Sequence, residues 1–135
     1  MFFLSVGGYY LDQKGKRQQF PVVESPTLSE IEKYLEYSQF CGVLVCKKKG
    51  NSKTVKLIIH FDSGKFLPSL EISDGEDFKV FMFENRNHTI LGYEYFQGEP
   101  FPRANTVFDK NLVISLLSEF ITEDMKFIPS RFEQV

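Results

Sequence analysis

His60 and His88 are the two histidines of the chain. A histidine pair with a lysine nearby is the residue set of a ribonuclease-type acid–base site, in which one imidazole takes a proton and the other returns it. Both lie in strand-like segments, 28 residues apart, with no local neighbour to tune either ring, so a structural role outweighs a catalytic one. His60, Asp62 and Ser63 are the residue types of a catalytic triad. Crowded into four positions, they cannot set an imidazole between hydroxyl and carboxylate. Cys41 and Cys46 sit five apart, which turns them to opposite faces of a regular strand and away from a mutual disulfide. They also lack the two-residue spacing of a zinc knuckle, and two buried free thiols in a reducing compartment is the expectation. Gly7-Gly8 leads into two tyrosines rather than a helix start with lysine, so it is no phosphate loop. The chain has no Gly-x-Ser-x-Gly elbow, and no third ligand for a metal stands out beside the histidines. The expectation is a protein without catalytic activity, metal or cofactor.

Charge placement remains. Between residues 14 and 56 there are nine basic residues and four glutamates; between 57 and 99 there are three basic residues and eight acidic ones. Charged turns are wet in any soluble protein, which explains most such runs. Read functionally, one patch complements a partner and speeds its capture. The candidate partner-binding residues are therefore Glu71, Asp74, Glu76 and Asp77 around an acidic turn, able to mimic phosphates, and Lys47, Lys48 and Lys49 at a basic hairpin. The hairpin 47–53 also supports an alternative, a small nucleic-acid-binding or adaptor module. A net charge of -2 argues mildly against direct nucleic-acid contact.

The elements that must hold these residues can be read from period and punctuation. Residues 2–11 and 17–23 form a predicted hairpin about the turn 12–16. Thr27 with Glu30 three residues on is a capping box opening a short amphipathic helix with Leu28, Ile31 and Leu35 on one face. Val43 to Cys46 and Val55 to Phe61 flank the basic segment as a second hairpin. A short strand follows at 66–72, where Pro68 favours an edge or a bend. Phe78 to Glu84, apolar on both parities, suits a central strand, and 88–96 reads as another. Gln97-Gly98-Glu99-Pro100 breaks the pattern. Asp109 then caps a helix carrying Leu112, Val113, Leu116, Leu117, Phe120 and Ile121, and 127–135 is a tail able to dock.

A length of 135 residues fits one domain, 1–135, with a core large enough to need no staples. Fifteen Phe, six Tyr and no Trp mean that phenyl rings must fill that core. No apolar run approaches the ~20 residues of a membrane span, and Met1 to Val6 reads as a first strand rather than a signal peptide. The predicted fold is α+β: a mostly antiparallel sheet of five to seven strands with two helices on one face, in a cytoplasmic monomer or weak dimer.

Three segments resemble the Imm1-type immunity proteins of bacterial polymorphic and contact-dependent inhibition toxin systems. They are Pro26-Thr27-Leu28-Ser29-Glu30-Ile31 after the first hairpin; Leu70-Glu71-Ile72-Ser73-Asp74-Gly75-Glu76-Asp77-Phe78; and Asn105-Thr106-Val107-Phe108-Asp109 leading into the helix with Leu117 and Phe120, then Pro129 and Phe132. The chain departs where it places Asp74, Glu76 and Asp77 instead of further glycines, and Phe132 instead of a terminal Trp. The resemblance implies an antitoxin without enzyme activity that neutralises a cognate toxin domain, expected to be a nuclease, by covering or plugging its active site. Charge and hydropathy add the expectation of no direct nucleic-acid partner and no membrane. It carries over no family-wide functional residues.

Overall fold

The computed structural model describes residues 2–85 and 90–135. Nine strands, two α-helices and one 3-10 turn make up the described chain. In sequence order they are β1 (Phe3–Leu11), β2 (Arg17–Glu24), α1 (Leu28–Leu35), β3 (Cys41–Lys49), β4 (Lys53–Asp62), β5 (Lys65–Asp74) and β6 (Asp77–Phe83), then β7 (Tyr93–Phe96), β8 (Glu99–Pro102), a 3-10 turn (Arg103–Asn105), α2 (Lys110–Thr122) and β9 (Phe132–Gln134). Seven strands form one antiparallel sheet in the order β2-β1-β3-β4-β5-β6-β9, and β7 and β8 form a separate hairpin. The fold is α+β.

Both helices start where the residues predict. Thr27 accepts from the Glu30 amide while the Glu30 carboxylate accepts from the Thr27 amide, so the capping box is complete. Asp109 caps α2 by accepting from the Asn111 amide. The two helices share one face of the sheet. Ile31 and Leu35 of α1 and Val113, Leu116, Leu117 and Phe120 of α2 join Val6, Leu44, Leu57, Ile59, Phe61, Leu70, Phe81 and Phe83 in one buried cluster. Phenyl rings share the cluster with a larger number of aliphatic side chains rather than filling it. Phe20 stacks on Tyr34 at 4.4 Å between centroids and Tyr10 on Tyr37 at 4.5 Å, tying α1 and the turn after it to the β1–β2 hairpin. The register of β1 against β2 shifts between Val6 and Gly8, and Gly8 takes a φ of 135°. A Cβ there would lie 2.0 Å from the Val43 carbonyl oxygen, so only glycine lets β3 come this close.

Three sequence expectations are corrected. Pro68 sits inside the sheet, opposite Ile59, because β6 pairs with β5 only from Ser69 onward and leaves the proline's donor side unpaired. Residues 86–89, His88 among them, lie outside the described residues, and of the described part of the predicted strand 88–96 only Tyr93–Phe96 is extended. The segment taken as a break is a tight hairpin: Gln97 and Gly98 both adopt positive φ, 50° and 82°, and join β7 to β8 through two residues. The tail docks as predicted but does so as β9, pairing with β6.

Candidate functional site

Strand parity divides the sheet into two unlike faces. Along β3 the buried positions are Gly42, Leu44, Cys46 and Lys48, and along β4 they are Val55, Leu57, Ile59 and Phe61. These point to the helices. The alternate positions, Val43, Val45, Lys47 and Lys49 with Thr54, Lys56, Ile58 and His60, form a face that neither helix covers. Phe3 (77% exposed), Val22 (70%) and Phe78 (57%) extend its apolar surface towards both edges of the sheet. Val80 and Met82 of β6 add two half-buried positions between them.

The β7–β8 hairpin packs against β4 and covers one end of this open face. Beneath and within it Leu67 and Phe96 are buried outside the main core cluster. Glu94 fixes the hairpin by pairing with Lys65 Nζ at 3.4 Å and Arg103 Nε at 3.1 Å. The Gln97 amide donates to Asp62 Oδ2 at 2.9 Å and ties the hairpin tip to the end of β4. A cleft of about 240 Å³ remains between tip and sheet, with Tyr9 and His60 on the sheet side and Phe96, Gln97, Glu99 and Phe101 on the hairpin side. Burial lowers the His60 pKa below its ordinary value, while the Glu71 and Glu99 carboxylates pull it back up, so the ring is neutral at pH 7.

At the opposite end a second concavity, about 360 Å³, is lined by Phe3, Leu4, Ser5, Glu24, Ser25, Lys47 and Lys49. Lys47 lies opposite Lys56 in the β3–β4 register, and Lys56 in turn opposite Glu71, so with Glu24 in the lining this end carries both signs of charge. The open face thus runs from a groove of mixed charge to a cleft edged by carboxylates.

The predicted site residues are spread unevenly over this arrangement. Lys47 and Lys49 lie on β3 rather than at a hairpin tip, and both face the open side. Lys48 is a correction: its side chain is fully buried and unavailable to a partner. Its Nζ donates to the Glu123 carbonyl at 2.6 Å and the Asp124 carbonyl at 3.4 Å, at the C-terminal end of α2. It also lies over the rings of Phe2, Phe120 and Phe127, at 5.1, 4.4 and 5.5 Å. Desolvation lowers its pKa to about 8 despite the opposing pull of Asp124 and Glu123. Carbonyl oxygens at a helix C-terminus are natural ligands for a cation, which is why the charge survives there.

Asp74, Glu76 and Asp77 are exposed at the β5–β6 turn, and Glu71 is half-buried on the open face opposite Lys56. The acidic turn and the basic hairpin are neighbours: Asp74 pairs in register with Lys53, and the Gly75 amide donates to the Ser52 carbonyl. The segregation of charge along the sequence is therefore largely undone in space.

Asp62 accepts from Ser63 Oγ and from the Gln97 amide, a structural use of two triad residue types that leaves His60 out. Cys41 and Cys46 are free and fall on opposite faces of β3. Cys46 is buried with its pKa pushed up to about 12, whereas Cys41 is only half-buried, so the expectation of two buried thiols holds for Cys46 alone. Among the described residues no cluster of three potential metal ligands occurs, and no described helix is long and apolar enough to cross a membrane.

The Tyr9–His60–Glu99 cleft was missed from sequence because its hairpin wall lies in a segment with only four-residue strands. Gln97-Gly98 between aromatic runs signals the hairpin itself, not its folding back over Tyr9 and His60.

No curated protein matches the chain. A solved structure described as the crystal structure of a hypothetical protein from Neisseria gonorrhoeae is similar, with a TM-score of 0.76 at 23% identity over 96% of this chain and 93% of that one. At that identity the likeness shows the fold. A family described as a family of unknown function (DUF6911) matches residues 4–127. Matched over most of its length, the chain belongs to this family.

Proposed function

We propose that the chain is a binding protein that seats a protein partner on the open face of its sheet. The observation that carries this reading is the apolar open face itself, on which Phe3, Val22 and Phe78 stay exposed while two helices crowd the other side. Six neighbouring strands, β2-β1-β3-β4-β5-β6, run seven to ten residues each. At about 4.8 Å between strands they span roughly 24 by 30 Å, one end of it under the β7–β8 hairpin, which is on the scale of the ~800 Å² that one partner of a standard interface buries. A mixed surface of this kind, with an apolar middle and charged ends, fits a protein better than a nucleic acid, whose backbone would demand a basic stripe.

The specific form of the reading is an immunity protein that neutralises a cognate toxin domain by covering its active site, and it rests on the resemblance of the three segments. The test is co-expression with the product of the gene immediately upstream. Formation of a complex and rescue of growth are the expected results. Loss of both when Val22→Asp and Phe78→Asp are combined places the contact on the open face. Absence of complex and of protection removes the immunity reading.

A further inference from the structure

We propose that the cleft between the β7–β8 tip and the sheet is an anchor pocket for a basic side chain, a guanidinium or ammonium group, of the docked partner. The proposal deepens the open-face reading and rests on it. Three rings, Tyr9, Phe96 and Phe101, wall the cleft, and the Glu99 carboxylate stands among them. Among the described residues Glu99 has no ion pair, in contrast to Glu94 on the same hairpin, which holds both Lys65 and Arg103. A carboxylate beside aromatic faces is the chemistry that receives a cation: the rings offer their negative faces and the carboxylate a charge-assisted hydrogen bond.

Two of the three aromatic walls already show this use. Arg17 lies 4.0 Å from the Tyr9 ring centroid and Lys65 Nζ 5.3 Å from that of Phe96. Neither residue lines the cleft itself. The charges that act on the His60 ring within the cleft are both carboxylates, Glu71 from β5 and Glu99 from β8. Asp62, two residues along β4, adds a third at the cleft's edge, where it is tied to Gln97. A neutral His60 adds a hydrogen-bonding nitrogen without repelling the guest. A guest acid would face Glu99 with only the flanking Arg17 and Lys65 to offset it, and Lys65 is already held by Glu94.

The experiment is an NMR titration of the whole chain with N-acetylarginine amide and, separately, with its uncharged analogue N-acetylcitrulline amide. Arginine amide is expected to give saturable shifts at Tyr9, His60, Gln97 and Glu99, with citrulline amide binding about tenfold more weakly or worse, the usual worth of a charge-assisted contact. Glu99→Gln should weaken arginine amide by a similar factor while its spectrum stays folded, and Lys33→Gln, exposed on α1 at the other side of the sheet, should leave the titration unchanged. Equal responses to the two amides, an unchanged Glu99→Gln, or no shift at these residues overturns the pocket. No partner enters the titration, so its failure leaves the open-face reading standing. Failure of Val22→Asp and Phe78→Asp to disrupt a partner complex would remove that reading and leave the pocket.

Discussion

The same strands present two faces, and they differ in kind. Leu57 and Ile58 are adjacent aliphatic residues of β4, yet Leu57 is sealed beneath the helices while Ile58 is half-buried on a surface no helix covers. Lys48 and its neighbours repeat the contrast: Lys47 and Lys49 reach solvent on the open side, and Lys48 is enclosed by rings and α2 carbonyls. One face is finished by packing within the chain. The other retains apolar area, two concavities and ordered charges, which is what a binding surface needs and a core does not.

The largest effect should come from filling space that the finished face does not have. Gly42→Ala places a Cβ 2.2 Å from the Tyr9 carbonyl oxygen, 2.7 Å from the Tyr10 Cα and 2.9 Å from Phe61 Cζ. Two of those atoms are backbone, so a loss of about 3 kcal/mol or more in urea unfolding is expected. Next comes the paired truncation on β4. Leu57→Ala should cost about 3 kcal/mol and Ile58→Ala about 1 kcal/mol, by the same denaturation assay. Near-equal losses would break the comparison, because they would mean that the open face is packed as tightly as the covered one.

Lys48 sharpens the contrast through pH. Lys48→Ala should cost about 2–4 kcal/mol, leaving a void and freeing the α2 carbonyls, and Lys48→Met less, because it keeps the stem. The folded pKa is lowered from 10.5 to about 8. Between those values the unfolded chain holds the proton and the folded chain does not, so this group makes stability rise with pH across that window. The slope is at most about 1.4 kcal/mol per pH unit. The wild-type-minus-Lys48→Met difference in unfolding free energy, followed from pH 7 to 10.5, should show that rise; a flat difference would place the ammonium in water. Smallest of all, Val22→Asp should change stability by less than about 0.5 kcal/mol, since its side chain is already largely in solvent.

The covered face was legible in the sequence wherever local chemistry dictates it. The capping box at Thr27–Glu30, the Asp109 cap and the apolar stripe of α2 are short-range signals, and both helices form where those signals place them. Lys48 was also readable: the alternation Gly42, Leu44, Cys46 puts position 48 inward, but a lysine next to two others reads as a solvated tip until parity is enforced. The cleft was not readable, because it joins Tyr9 of β1, His60 of β4 and Glu99 of β8, residues brought together only by the hairpin folding back over the sheet. The proximity of the acidic turn to Lys53 depends in the same way on the β4–β5 register, which short-range pattern does not fix.

The most direct test of the central claim is the paired variant Val22→Asp and Phe78→Asp, assayed for complex formation with the co-expressed product of the upstream gene. The account predicts a folded protein of nearly unchanged stability that no longer holds its partner, while wild type and a control substitution on the helical side at exposed Lys33 retain it. A complex that survives both aspartates intact would contradict it, and would move the interface away from the open face of the sheet.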